Sequence, residues 1–300
     1  MSRPHYSSDD IRRTYEKIHV HRFTREIIAR YSTNKGDIRE VALNGLDLSN
    51  TSKVLDLGCG YGLFVEKLKD RLPPDAYITG MDVVESNRQA FLRTLESIKC
   101  AGKFIKGGAD MIHDSQDESF DLIIASYSLY FFPYLIGEIA RILKDNGIFI
   151  AITHSKFSLR EITDLIHLSM EKIGLEPPDK IAIAELFHAF SLEDGMSLLT
   201  PFFTKVDILL YPNTMIFPPE NINDCINYLT IKSHLLFKDI AERRPERIDD
   251  VQSHFFQSVH RLAHEQGGFT ITKDDAIFRC YTPLRNHANG QTHAAGRSKA

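Results

Sequence analysis

Three glycines at alternating positions, Gly58, Gly60 and Gly62, stand directly behind the apolar run Val54-Leu55-Asp56-Leu57 and ahead of Leu63-Phe64-Val65-Glu66-Lys67-Leu68. Glycines at a junction of this kind let the backbone turn sharply and approach a ligand at contact distance, where any Cβ would intrude. A tight turn with no ligand is the simpler alternative. Asp82 follows about 20 residues later, at the end of a second apolar run, where an acidic side chain can accept bonds from both hydroxyls of a ribose. The alternative there is an ordinary helix cap.

The spacing separates two kinds of nucleotide ligand. A dinucleotide fingerprint requires its third glycine three positions after the second, but position 63 is Leu. Asp56, just ahead of the first glycine, would repel a pyrophosphate and suits a ligand carrying a cationic amino group and a sulfonium. S-adenosylmethionine fits these features better than a nicotinamide or flavin dinucleotide.

Such residues need elements that bring strand ends together. Short strand-like runs at 53–57, 77–81, 104–106, 120–125 and 147–153 alternate with helical stretches at 63–71, 86–98 and 133–143, which is the rhythm of βαβ units on a parallel sheet. Lys144-Asp145-Asn146-Gly147 reads as a turn before the fifth strand. Ahead of this block, residues 8–31 have helical periodicity and form a lead-in. Behind it, helices near 158–173 and on to 199 precede two further strands at 204–211 and 269–281, separated by two helices at about 222–239 and 248–266.

The ordered motifs resemble the class I S-adenosylmethionine-dependent methyltransferase family, particularly its small-molecule branch, which includes ubiquinone and biotin biosynthesis enzymes. The resemblance covers roughly residues 50 to 155. It implies an α/β fold: a Rossmann-like, seven-stranded, mostly parallel sheet with helices on both faces. The expected divisions are a helical lead-in or lid (1–48), a cofactor-binding domain (49–217 and 268–284), a helical insertion covering the acceptor (218–267) and a disordered tail (285–300). The tail's His287 and His293 read as composition rather than metal ligands.

The resemblance also assigns roles. Asp56, Gly58, Cys59, Gly60 and Gly62 would hold the amino-acid end of the cofactor, and Asp82 with Val83 the ribose. Asp110 would accept from the adenine amino group while Met111 packs on the ring; Asp110 is equally a turn residue. Ser126 and Tyr127, in Phe120-Asp-Leu-Ile-Ile-Ala-Ser-Tyr, would face the cofactor and acceptor from the fourth strand.

Methyl transfer from a sulfonium is an in-line displacement, so the protein's main task is to align the acceptor, with a base removing a proton where the acceptor needs it. His154, at the end of the fifth strand, is the first candidate base; a histidine bonded to backbone is the alternative. Tyr127, Tyr15 and His19 are the other catalytic candidates, with core or lid packing as the alternative for each. No metal is expected.

Composition narrows the acceptor. A net charge of −4 over 300 residues gives no footprint for a polyanion. The end of the fourth strand, Ala125-Ser-Tyr-Ser, lacks the Asn/Asp-Pro-Pro-aromatic signature of base amino methylation. A small-molecule acceptor is therefore expected, with no nucleic acid or membrane partner, a cytoplasmic location, and a monomer or homodimer. The alternatives are an RNA or protein methyltransferase of the same fold and a catalytically silent cofactor-binding subunit. Four cysteines without metal-ligand spacing read as reduced thiols.

Overall fold

The computed structural model describes residues 6–285. Three helices open the chain: α1 (Ser8–Tyr15), α2 (Ile18–Tyr31) and α3 (Ile38–Leu43). A capping box starts α1, the Ser7 hydroxyl accepting from the Asp10 N–H and the Asp10 carboxylate from the Ser7 N–H. The sheet is then laid down as β1 (Lys53–Leu57), β2 (Tyr77–Asp82), β3 (Ala101–Lys106), β4 (Phe120–Ser126) and β5 (Leu143–His154), with α4 (Arg88–Ser97) between β2 and β3 and α5 (Ile136–Ile142) between β4 and β5.

The second half of the chain begins with α6 (Arg160–Lys172), α7 (Ala182–Ala189) and α8 (Gly195–Leu199), followed by β6 (Phe203–Tyr211) and β7 (Thr214–Phe217). Next come α9 (Ile222–Ile231), α10 (Ser233–Leu236), α11 (Lys238–Arg243) and α12 (Ile248–Gln266), then β8 (Phe269–Thr272) and β9 (Asp275–Pro283). The main sheet has seven strands in the order β3-β2-β1-β4-β5-β9-β6. In this sheet β9 alone runs against the direction of the other six strands.

Strands covered on both faces should be apolar on both faces. Alternate residues of each central strand indeed feed different cores. Leu55, Leu57, Ile123, Ala125, Phe149 and Ala151 pack into one. Val54, Leu122, Ile124, Ile150 and Ile152 pack into the other. The expected seven-stranded, mostly parallel sheet is what forms. Because β2 and β4 flank β1 on opposite sides, the strand order reverses there and opens a crevice at the strands' carboxyl ends.

Four expectations are corrected. The helix expected at 63–71 is a short 3-10 turn, Val65–Leu68. The turn expected at 144–147 is absorbed into β5, whose pairing with β4 shifts register between Phe120 and Leu122. The single helix expected at 222–239 is broken into α9, α10 and α11.

The fourth correction matters most. Residues 269–281 are two strands in two sheets, β8 pairing with the unforeseen β7 and β9 entering the main sheet. The break at Lys273-Asp274 is held by Asn213, whose N–H donates to the Asp274 carboxylate (2.9 Å) and whose carbonyl accepts from the Lys273 N–H (3.0 Å). Strong β propensity runs through both segments, so the sequence pattern hides the crossing. The expected disordered tail at 285–300 falls outside the described residues from 286 onward, His287 and His293 included. Arg285 itself is anchored, its guanidinium donating to the carbonyls of Ala140 and Leu143 and to Asp145.

Candidate functional site

The loop after β1 sits at the crevice. Gly58, Gly60 and Gly62 all have left-handed φ, at +74°, +52° and +91°. Their reasons for being glycine differ. A Cβ on Gly58 would lie 2.6 Å from the Ser128 Cβ, and one on Gly62 would lie 3.0 Å from Thr94. A Cβ on Gly60 would meet no protein atom within 4 Å, so it would project into open space. The same Ser128 donates its hydroxyl to the Leu57 carbonyl and ties the end of β4 to β1.

Asp82 organises this loop. Its carboxylate accepts from the Gly60 N–H (2.8 Å) and the Val84 N–H (2.7 Å). Burial pushes its pKa up, with those two N–H donors and Asn87 opposing. Asp56 stands in a harsher setting: it is buried and neither carboxylate oxygen has a hydrogen-bond partner among the described residues. Burial first, then repulsion from Asp82, raises its pKa to about 7 despite Arg39. Asn87 Oδ1 and Ser126 Oγ are likewise buried without partners.

These groups line one end of a cavity of about 860 Å³, inside the range of roughly 300–1,000 Å³ usual for small-molecule sites. The lead-in and insertion helices roof it together. Tyr6 donates to the Leu235 carbonyl, Lys238 pairs with Asp10 at 2.9 Å, and Tyr31 donates to Asp224 at 2.6 Å. The rest of the cavity wall is largely aromatic and aliphatic, including Tyr15, Tyr130, Phe187, Leu186, Ile183 and Tyr228.

In that wall His154 belongs to a buried network. Its Nδ1 lies 2.6 Å from Asp275 Oδ1, while Asp275 Oδ2 accepts from the Tyr127 hydroxyl (2.7 Å) and from Lys273 Nζ (3.1 Å). Burial pushes the Asp275 carboxyl up, but Lys273, His154 and Tyr127 outweigh it and hold the group below its usual value. Burial dominates at His154 and lowers its pKa in spite of Asp275. The ring is boxed by Tyr127, Phe187 and Tyr130. Tyr127 adopts φ +57°, a strained backbone for a non-glycine residue, which its hydroxyl bond to Asp275 helps to fix.

The cavity brings together most of the residues singled out in the sequence: Asp56, Gly58, Cys59, Gly60, Asp82, Val83, Asp110, Ser126, Tyr127, Tyr15 and His154 all line it. Gly62, Met111 and His19 are not among the lining residues. Gly62 packs against Thr94. Met111 is exposed, and its sulfur occupies the space a Cβ on Gly107 would take. His19 is exposed because α1 stops at Tyr15 and α2 restarts at Ile18, so the two residues share no helical face. Its place beside Tyr15 is taken by His21, whose ring stacks on Tyr15 at 4.9 Å. Asp110 accepts from the Tyr134 hydroxyl.

Residues that pattern reading missed are Asp275, Lys273, Lys232, His21 and Asn87. Asp275 stands at the start of β9 directly in register with His154, a pairing that only the fold reveals.

Residues 54–147 match the family model described as a methyltransferase domain. The aklanonic acid methyltransferase DauC of Streptomyces sp. (strain C5) is 29% identical over 117 residues, covering 35% of this chain and 49% of that protein. The malonyl-[acyl-carrier protein] O-methyltransferase of Acetivibrio thermocellus is 27% identical over 150 residues, covering 47% and 48%. The matched stretch thus spans about half the length of each relative. The cyclopropane synthase MmaA2 from Mycobacterium tuberculosis shares the fold, with a TM-score of 0.51 at 14% identity over 93% of this chain and 99% of that one. Among the described residues, no helix is long and apolar enough to cross a membrane. The strand order, the glycine loop and the family match agree on a methyltransferase domain over residues 54–147.

Proposed function

We propose that this protein transfers the methyl group of S-adenosylmethionine to an oxygen, nitrogen or carbon atom of a small molecule held in the 860 Å³ cavity. The observation that carries the reading is Asp56, a buried carboxylate with both oxygens unpartnered beside an open glycine cradle. Leaving such a group unmatched is costly, and a cationic amino group is the partner that removes the cost. A pyrophosphate would instead add to the repulsion. When bound, S-adenosylmethionine supplies an electrophilic methyl group on a sulfonium.

The chain's own residues supply the rest. Asp56 and the N–H groups of the glycine loop hold the amino-acid end, Gly60 leaves the space for close approach, and Asp82 with Val83 and Asn87 receives the ribose. Asp110 receives the base at the edge of the cavity, while Met111, outside the lining, takes no part. Ser126 and Tyr127 stand between this end and the acceptor end. The roof of lead-in (1–48) and insertion helices keeps water from the reacting atoms. The helical insertion, 218–267, is bracketed by the paired strands β7 and β8.

His154 is the proposed base. Asp275 accepts from the Nδ1–H, which leaves Nε2 with its lone pair, and burial keeps the ring neutral near pH 7. Nε2 has no hydrogen-bond partner among the described residues. A proton taken there creates an imidazolium facing the Asp275 carboxylate, which stabilises it. Tyr127, bonded to the same carboxylate, positions the pair. The largely apolar cavity wall favours a metabolite over RNA or protein. The test is S-adenosylhomocysteine formation with a metabolite panel, an RNA extract and a protein extract, using Asp82→Ala as control. Turnover only with the polymer extracts would move the acceptor class, and cofactor binding without any turnover would favour a silent binding subunit.

A further inference from the structure

The acceptor end of the cavity contains a cation that the methyltransferase reading leaves without a task. Lys232 follows α9 and lines the cavity. No carboxylate lies within ion-pair distance of its Nζ among the described residues. The ammonium sits over the Tyr15 ring, 4.8 Å from its centroid. The charged group that acts on it is another cation, Lys273, which is already committed to Asp275 at 3.1 Å. A half-buried cation in a cavity wall is expected to have an anionic partner, since desolvating a charge is costly. Lys238, for comparison, pairs with both Asp10 and Glu242 in the same roof.

Resting on the methyltransferase reading, we propose that Lys232 is an anion-binding residue for the methyl acceptor, which is a carboxylic acid with an apolar or aromatic body. The body lies against Phe187, Leu186, Ile183 and Tyr228, and the carboxylate reaches the Lys232 ammonium above Tyr15. The opposite end of the cavity repels such a group through Asp56 and Asp82, so the two charges of the site orient donor and acceptor in opposite senses. Burial and Lys273 hold the Lys232 pKa down to about 8. The groups facing it are Tyr15, Lys273, His21 and His154. Burial keeps both imidazoles below their ordinary pKa, His21 at about 4, so neither gains charge above pH 7. Acid binding therefore weakens as pH rises past about 8, where Lys232 loses its proton.

The test is calorimetry on the full chain saturated with S-adenosylhomocysteine, titrating 2-naphthoate against 2-naphthamide and octanoate against octanamide. Wild type should prefer each acid over its amide by at least about tenfold at pH 7, the scale of one charge-assisted contact. Lys232→Met and Lys232→Gln should bring the preference to within about threefold with S-adenosylhomocysteine affinity unchanged, and Lys232→Arg should retain it and extend it above pH 9. Equal binding of acid and amide by wild type, failure of both acids to bind, or a preference that survives in Lys232→Met and Lys232→Gln overturns the anion site alone. Failure of wild type to bind S-adenosylhomocysteine overturns the methyltransferase reading and this inference with it. If neither neutral variant folds, the wild-type acid preference and its pH dependence decide.

Discussion

The two ends of the cavity carry opposite unmet charges. Around β1 and β2 a buried carboxylate, Asp56, has no hydrogen-bond partner among the described residues. Under α9 and α10 a cation, Lys232, has no anionic partner among the described residues, and Lys273 adds to the positive side. One end calls for a cationic ligand and the other for an anionic one, so a single cavity can hold donor and acceptor without exchanging them. The ends also differ in origin. The first comes from one contiguous block, residues 54–147, and the second is assembled from the lead-in, α7, α9 and the β8–β9 crossing.

The largest expected effect breaks the acceptor end. His154→Ala should lower kcat by about 10² to 10⁴, the usual range for a lost general base, with little change in S-adenosylhomocysteine affinity. Asp275→Asn should cost less and also move the acidic limb of the kcat profile to lower pH, because Asp275 raises the His154 pKa against the pull of burial. An unchanged pH profile in Asp275→Asn, or a fall in cofactor affinity alone, would remove His154 from its role.

The next effect breaks the cofactor end. Asp56→Asn should weaken S-adenosylhomocysteine by roughly 10- to 100-fold at pH 8, matching the about 1.5–3 kcal/mol of a charged hydrogen bond. The sign with pH follows from its raised pKa. A carboxyl shifted from 3.8 to about 7 contributes stability below its unfolded pKa and loses that contribution as pH rises through 7. Ligand-free wild type should therefore melt below Asp56→Asn at pH 8, with the gap narrowing at pH 5. Cofactor affinity in wild type should rise between pH 6 and 8 as Asp56 ionises, and Asp56→Asn should flatten that rise.

Two glycines sharpen the same end. Gly60→Ala meets no protein atom, so its folding cost is the left-handed φ alone, about 1–2 kcal/mol, while its Cβ fills the cradle and should reduce cofactor affinity at least tenfold. Gly62→Ala collides with Thr94 and should act in reverse, losing more melting temperature than affinity. Equal behaviour of the two variants would contradict the assignment of Gly60 to the ligand. The smallest effect is expected at His19→Ala, exposed and outside the cavity lining, which should leave turnover unchanged.

The difference between the ends explains what was legible in the sequence. The glycine loop, Asp56 and Asp82 are set by neighbours in the chain, so spacing alone placed them. His154 was found because strand ends are identifiable from an alternating pattern. Its partner was hidden, because the β-branched run from 269 onward conceals the crossing at Lys273-Asp274 that delivers Asp275 to the site. Lys232 follows a helix that packs on the distant α2 and α12, and nothing in its local pattern marks it. His19 and His21 differ by two residues, and only the helix break after Tyr15 decides which one faces the cavity.

The central claim is that the loop at 56–62 receives a cationic amino-acid nucleoside. Calorimetry with S-adenosylhomocysteine and, separately, an oxidised nicotinamide dinucleotide at pH 8 tests it most directly. One molecule of S-adenosylhomocysteine should bind per chain, more weakly in Asp56→Asn, with no heat from the dinucleotide. Binding of the dinucleotide instead, or S-adenosylhomocysteine binding that is indifferent to Asp56→Asn, would contradict it.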